Sequence, residues 1–171
     1  MPPTVLVTGA TGYSASELVA QLLDKGYTVV AAARNLEKAA FLSQLPGAQE
    51  RLRAVRLDLL DGVDTFVSAL EGCDAVFHTA SPLSGDGEEG ILKPALNGTN
   101  NVMLACSRTP SVKTVVLTSS VLIDGGLHLE PTFTALLELT DDDTLAFGPA
   151  DRIAVAFGQG TVALPGVNVQ A

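Results

Sequence analysis

Gly9 and Gly12 stand three residues apart in VTGATGYSASELV (7–19), where a short apolar run passes directly into a helical pattern. At such a turn a glycine lets the backbone bend tightly or enter the left-handed region. A missing side chain at the second position lets a pyrophosphate approach the main chain. The helix that opens there presents unpaired N–H groups and the positive end of its dipole. Gly9 and Gly12 fit those two roles, and Ala15 is small enough for close packing of helix on sheet at a third position. A ligand-free turn is the plain alternative, but the strand before and the helix after weigh against it.

A second group of residues tells one phosphate ligand from another. Arg34 follows the apolar run YTVVAAA (27–33), and Lys38 comes four residues later. An acid at this place would bind a ribose 2′-hydroxyl and favour NAD. Two cations suit a 2′-phosphate instead, so NADP(H) is expected in preference to NAD(H). The plain alternative for Arg34 is a solvated charge at a strand end. His78 lies within an apolar run and is read as a buried, hydrogen-bonded residue, and Cys73 and Cys106 as core thiols.

These residues need a frame. Strand patterns at 4–8, 27–33, 52–58, 74–80 and 112–120 alternate with helical patterns at 15–26, 36–45, 63–70 and about 91–107. Gly26 suits the end of the first helix, and Pro46-Gly47 stops the second. Right-handed crossovers then build an α/β, doubly wound parallel sheet, Rossmann-like, with strand order 3-2-1-4-5. Apolar residues are 47% of the chain and aromatics 5%, so Val, Leu and Ala must fill a core of the kind helices and a parallel sheet enclose. At 171 residues there is room for one sizeable core.

The pattern changes after Ser120. Residues 121–171 carry seven acids and one base, Arg152, which places about −6 of the total −9 charge there. The expected division is a dinucleotide-binding domain at 1–120 and an acidic tail at 121–171. That tail would hold one helix (132–139) and a hairpin within 152–164 around Gly158-Gln159-Gly160, packed on the domain. No further strand–helix–strand unit is expected. The acidic balance argues against nucleic acid and anionic membranes as partners. No leader segment, membrane span, metal site or disulfide framework is expected, which reads as a cytoplasmic protein. Nothing in the sequence sets an oligomeric state.

Six segments carry a more specific signal: VTGATGYSASELVAQLLDKGYTVVAAAR, LPGAQERL, LDLLD, GCDAVFHTASP, ILKPALNGTNNVMLAC and SVKTVVLTSS. In order and spacing, over about residues 4–120, they resemble the extended short-chain dehydrogenase/reductase (NAD-dependent epimerase/dehydratase) superfamily. Within it they are most similar to the dihydroflavonol reductase and cinnamoyl-CoA reductase group. The resemblance implies an NADP(H)-binding oxidoreductase acting on CH–OH groups, with a small carbonyl or alcohol as substrate of the full-length family. It also implies site residues. Gly9, Gly12 and Tyr13 match the phosphate turn, and Arg34 and Lys38 the 2′-phosphate site. Asp58 and Leu59 match the pair flanking the adenine, and Thr79, Ala80 and Ser81 the segment along the nicotinamide ribose. Thr118 and Ser119 close the fifth strand beside the cofactor, and Ser120 matches the catalytic serine. Asp58 and the serines have plainer readings as turn and strand ends.

Reduction in that family also needs a tyrosine acid and a lysine four residues later, a few tens of residues past the serine. This chain has only Tyr13 and Tyr27, and its last lysine is Lys113. The expectation is therefore a cofactor site with impaired catalysis, in a chain cut short or replaced after Ser120, with the family's sixth strand absent. The alternatives are a non-catalytic dinucleotide-binding or interaction protein, and a truncated product without its own function.

Overall fold

A computed structural model describes residues 2–82, 87–119, 152–157 and 160–161. Among the described residues, seven strands form one sheet: β1 (Thr4–Thr8), β2 (Thr28–Ala33), β3 (Leu52–Arg56), β4 (Ala75–His78), β5 (Thr114–Ser119), β6 (Arg152–Phe157) and β7 (Gly160–Thr161). Their order is β3-β2-β1-β4-β5-β6-β7, so the expected 3-2-1-4-5 order holds. The first six are parallel and β7 is antiparallel to β6. The helices are α1 (Tyr13–Asp24), α2 (Leu36–Ala39, continued as a 3-10 turn over Ala40–Gln44), α3 (Ala48–Arg51), α4 (Val63–Ala69) and α5 (Lys93–Ser107). A π turn over Glu88–Leu92 leads into α5.

Side chains of β1 divide between two cores. Leu6 joins Val30, Val76 and Val115 against Phe66 of α4, Leu70 just past its end, and Val102, Met103 and Cys106 of α5. Val5 and Val7 face the other way, with Val29 and Ala31, onto Val19, Leu22 and Leu23 of α1 and Leu42. Strand residues alternate faces, so a run of Val and Ala without polar alternation is what two helix-covered faces demand. Gly26 takes φ +84 just past α1, as the expected helix stop.

Two expectations are corrected. The chain does have a sixth parallel strand: β6 pairs with β5 from Thr114↔Arg152 to Ser119↔Phe157. RIAVAF was legible as a hairpin arm, but nothing in a short apolar run says which second edge it will join. An unpaired β5 edge is a ready template, and β6 fills it. The expected hairpin pairing is present, with Ala156↔Thr161 and Phe157↔Gly160 paired, so Gly160 lies in a strand rather than in the turn. The helix expected at 132–139 lies outside the described residues. No described helix is long and apolar enough to cross a membrane.

Candidate functional site

The carboxyl ends of β1, β2 and β4, with the segment after β3, border a cleft of about 730 Å³. Nine of the residues singled out in the sequence line it: Gly9, Gly12, Arg34, Lys38, Asp58, Leu59, Thr79, Ala80 and Ser81. They come from positions spread over more than seventy residues, and the strand order brings them together where β1 separates the crossovers to the two sheet halves. Tyr13 is 96% exposed at the first position of α1 and lies off the cleft wall. Thr118 is exposed one strand further along the sheet, also off the wall. Ser119 ends β5, and Ser120 lies outside the described residues.

The Gly9–Gly12 turn is built by close approach. Gly9 has φ +65, and a Cβ there would stand 2.9 Å from the Ala80 Cα, so both the conformation and the space require glycine. Ala10 N–H donates to the Ala32 carbonyl at 3.0 Å and Gly12 N–H to the Gly9 carbonyl at 2.9 Å, which ties the turn to β2 and closes it. Gly12 precedes α1 with no side-chain cap, and the first helical turn holds no acid. The helix end therefore keeps donors and positive potential beside the cleft, where an anion would be stabilised.

Arg34 and Lys38 stand at the mouth beyond β2, both exposed. Among the described residues neither is paired with a carboxylate. Asn35, between them, was missed in the sequence. Its Oδ1 accepts from the Glu37 N–H at 2.8 Å and the Lys38 N–H at 3.2 Å, capping α2. An asparagine one residue before a helical pattern was the available signal. Thr8, Thr11, Gly90 and Pro94 also line the cleft. The last two arrive with the π turn and α5, for which the sequence carries no separate cue.

The inner wall rests on Thr8 and His78, both buried. The N–H groups of Thr79 and Ala80 both donate to Thr8 Oγ1, each at 3.1 Å. With its lone pairs so occupied, the Thr8 hydroxyl must donate its own proton to His78 Nδ1, 2.8 Å away. His78 then carries its proton on Nε2, toward Thr99 Oγ1 at 3.4 Å. The Thr79 hydroxyl donates to the Thr8 carbonyl and closes the ladder end. Burial pushes the His78 pKa down from 6.5 to about 4, in keeping with a neutral ring that accepts. Burial likewise pushes the thiols of Cys73 and Cys106 up, to about 11 and 12, so neither is a thiolate at neutral pH. Asp58 both lines the cleft and caps its own turn, with Oδ1 accepting from the Leu60 N–H at 3.1 Å.

A glycine cradle beside an uncapped helix, with two cations at the next strand end that have no carboxylate partner among the described residues, fits a phosphate-bearing dinucleotide. Comparison with known proteins agrees on the ligand class. Residues 9–142 match the family model described as NAD(P)H-binding. The chain is 50% identical over 122 residues to tetraketide alpha-pyrone reductase 1 of Arabidopsis thaliana, covering 68% of this chain and 37% of that protein. It is 47% identical over 130 residues to cinnamoyl-CoA reductase 2 of Medicago truncatula, covering 75% and 37%. The structure of yeast methylglyoxal/isovaleraldehyde reductase Gre2 complexed with NADPH superposes with a TM-score of 0.62 at 32% identity, over 69% of this chain and 37% of that one. The chain thus spans a little over a third of the length of these relatives. It belongs to the NAD(P)H-binding family, among the short-chain dehydrogenase/reductase proteins of the dihydroflavonol reductase and cinnamoyl-CoA reductase group.

Proposed function

We propose that this chain holds NADP(H), in preference to NAD(H), across the cleft, as the nucleotide-binding part of a reductase acting on CH–OH groups. The observation that carries the preference is the pair Arg34 and Lys38, two cations without a carboxylate partner among the described residues, where an NAD site would have an acid. In this reading the Gly9–Gly12 turn takes the pyrophosphate and Arg34 and Lys38 take the 2′-phosphate. Asp58 and Leu59 flank the adenine, and Thr79, Ala80 and Ser81 run along the nicotinamide ribose. Thr118 and Ser119 border the cofactor, and Ser120 orients the carbonyl. The bound dinucleotide supplies hydride to a small carbonyl, or accepts it from the alcohol.

The protein's own part is orientation and exclusion: the Thr8–His78 pair fixes the strand end against which the nicotinamide half would lie. Protonation of the substrate oxygen needs an acid, and this 171-residue chain has no tyrosine after Tyr27 and no lysine after Lys113. By itself it therefore binds cofactor without turnover. Its place is the cytoplasm, where such cofactors and free thiols are found.

Titration of the purified chain with NADPH and NADH tests this. Saturable binding with NADPH tighter is expected. Arg34→Ala should weaken NADPH by about tenfold, the worth of one charge-assisted contact, and leave NADH unchanged. No binding of either nucleotide by a folded chain, or equal affinities insensitive to Arg34, overturns the preference. Steady NADPH oxidation with a dihydroflavonol or aromatic aldehyde would refute the catalytic gap.

A further inference from the structure

The first turn of α1 carries a hydroxyl that the cleft does not use. Ser14 is exposed and stands two residues past Gly12; Gly12 borders the cleft and Ser14 does not. Ser16 commits its hydroxyl to the Tyr13 carbonyl at 2.9 Å, whereas the Ser14 hydroxyl has no such partner among the described residues. Glu17, also exposed, comes three residues after Ser14. Its Oε1 accepts from Gln21 Nε2 at 2.9 Å, which leaves its other oxygen open. A serine followed at the third place by an acid is the pattern that acid-directed protein kinases read.

The surroundings of Ser14 suit a phosphate. Ser16 N–H donates to the Gly12 carbonyl at 2.8 Å, and Gly12 N–H to the Gly9 carbonyl at 2.9 Å. The N–H groups of Tyr13, Ser14 and Ala15 are therefore the ones left open among the described residues, at the positive end of a 12-residue helix with no acid in its first turn. A phosphoserine there would add about two negative charges and three acceptor oxygens where a helix favours both. By helix geometry its Cα lies about 5 Å from that of Gly12. That is inside one Debye length of any anion held by the Gly9–Gly12 turn. One set of donors cannot serve both.

We infer that Ser14 is a phosphorylation site, and that its phosphate closes the cleft to dinucleotides by taking the donors at the start of α1. The inference rests on the reading that the Gly9–Gly12 turn takes the pyrophosphate. The step moves the γ-phosphoryl group of ATP to Ser14 Oγ. The bond from phosphorus to the ADP oxygen breaks, the bond to Oγ forms, and the hydroxyl proton passes to the base of the kinase. Helix ends fray, so Ser14 is within reach in the free chain, while a bound dinucleotide holds the turn. Phosphate and dinucleotide thus exclude one another in both directions.

The purified chain is treated with an acid-directed casein kinase and ATP, freed of nucleotide, mapped by mass spectrometry and titrated with NADPH. A phosphate on Ser14 is expected, with NADPH affinity lower by about a hundredfold, the scale of two like charges at short range. Saturating NADPH during the kinase step should slow the modification about tenfold. Ser14→Asp carries charge without a kinase. It should raise the melting temperature by about 2 °C, as an acid in a first helical turn does, yet weaken NADPH about tenfold. Ser14→Ala should take up no phosphate at this position and bind NADPH as the wild type does. A merely structural lesion would lower stability and affinity together, so the opposite signs in Ser14→Asp identify the charge effect. No phosphate on Ser14 overturns the inference. So does a phosphorylated chain that binds NADPH as tightly as the unmodified one, and in both cases the cofactor reading stands. A wild-type chain that binds no nucleotide removes both.

Discussion

Thr8 shows how one hydroxyl can decide a wall of the cleft. It accepts two backbone N–H groups and so has only its proton left to give, which commits His78 to a neutral, Nδ1-accepting form. That commitment links the site to pH. The His78 pKa is lowered in the folded chain to about 4, from 6.5 when unfolded. The unfolded chain therefore binds more protons as pH falls below 6.5. Stability from this group is complete above about 6.5, is lost as pH drops through 4, and is constant below that. The loss is about 3 kcal/mol at 1.36 kcal/mol per unit. Urea unfolding at a series of pH values, beside a His78→Asn variant, should show the extra decline only in the wild-type chain. Parallel curves for the two would mean that His78 does not titrate across unfolding.

At the scale of an element, α2 is a short helix whose start is set by one cap. Asn35 satisfies the N–H groups of Glu37 and Lys38, and in doing so fixes the first helical turn next to Arg34. A four-residue helix with a 3-10 extension has little propensity of its own, so the cap matters more than it would on a long helix. Asn35→Ala is expected to lower stability by about 1 kcal/mol and to weaken NADPH binding severalfold, as Lys38 loses its fixed place. Thermal melts and calorimetric titration measure the two effects. A stability loss with NADPH affinity unchanged would separate the cap from the phosphate site. The turn after β1 works differently: its glycine is demanded by the 2.9 Å approach to the Ala80 backbone, so the spacing of the two strand ends is part of the site.

For the whole molecule, the sheet continues past β5 through β6 and β7. The β5 edge, which could otherwise pair with another chain, is thereby covered. Successive N–H groups of a strand point to opposite edges, so proline at Ile153 in one variant and at Ala154 in another must remove a donor from the β5 side in one of them. In that variant the β5 amides over Val115–Thr118 should lose hydrogen-exchange protection, and the chain should self-associate at high concentration. Full protection in both variants would show that β6 does not hold this edge.

By itself, the sequence determined the alternation of strands and helices, the strand order, and most of the cleft wall. Those follow from local facts: period and apolarity set the elements, right-handed crossovers set the order, and glycines or charges at strand ends mark positions the order must bring together. Gly9, Gly12, Arg34, Lys38, Asp58, Leu59 and the Thr79–Ser81 segment were legible for that reason. Tertiary structure alone decided the rest. That Asn101 of α5 ties down the Asp58–Asp61 turn, that Thr8 and His78 share a proton in one sense, and that RIAVAF adds to the β5 edge all depend on contacts between distant parts of the chain. A local pattern records what a residue can bond to. Which partner is within 3 Å is settled only when the sheet and its helices have packed.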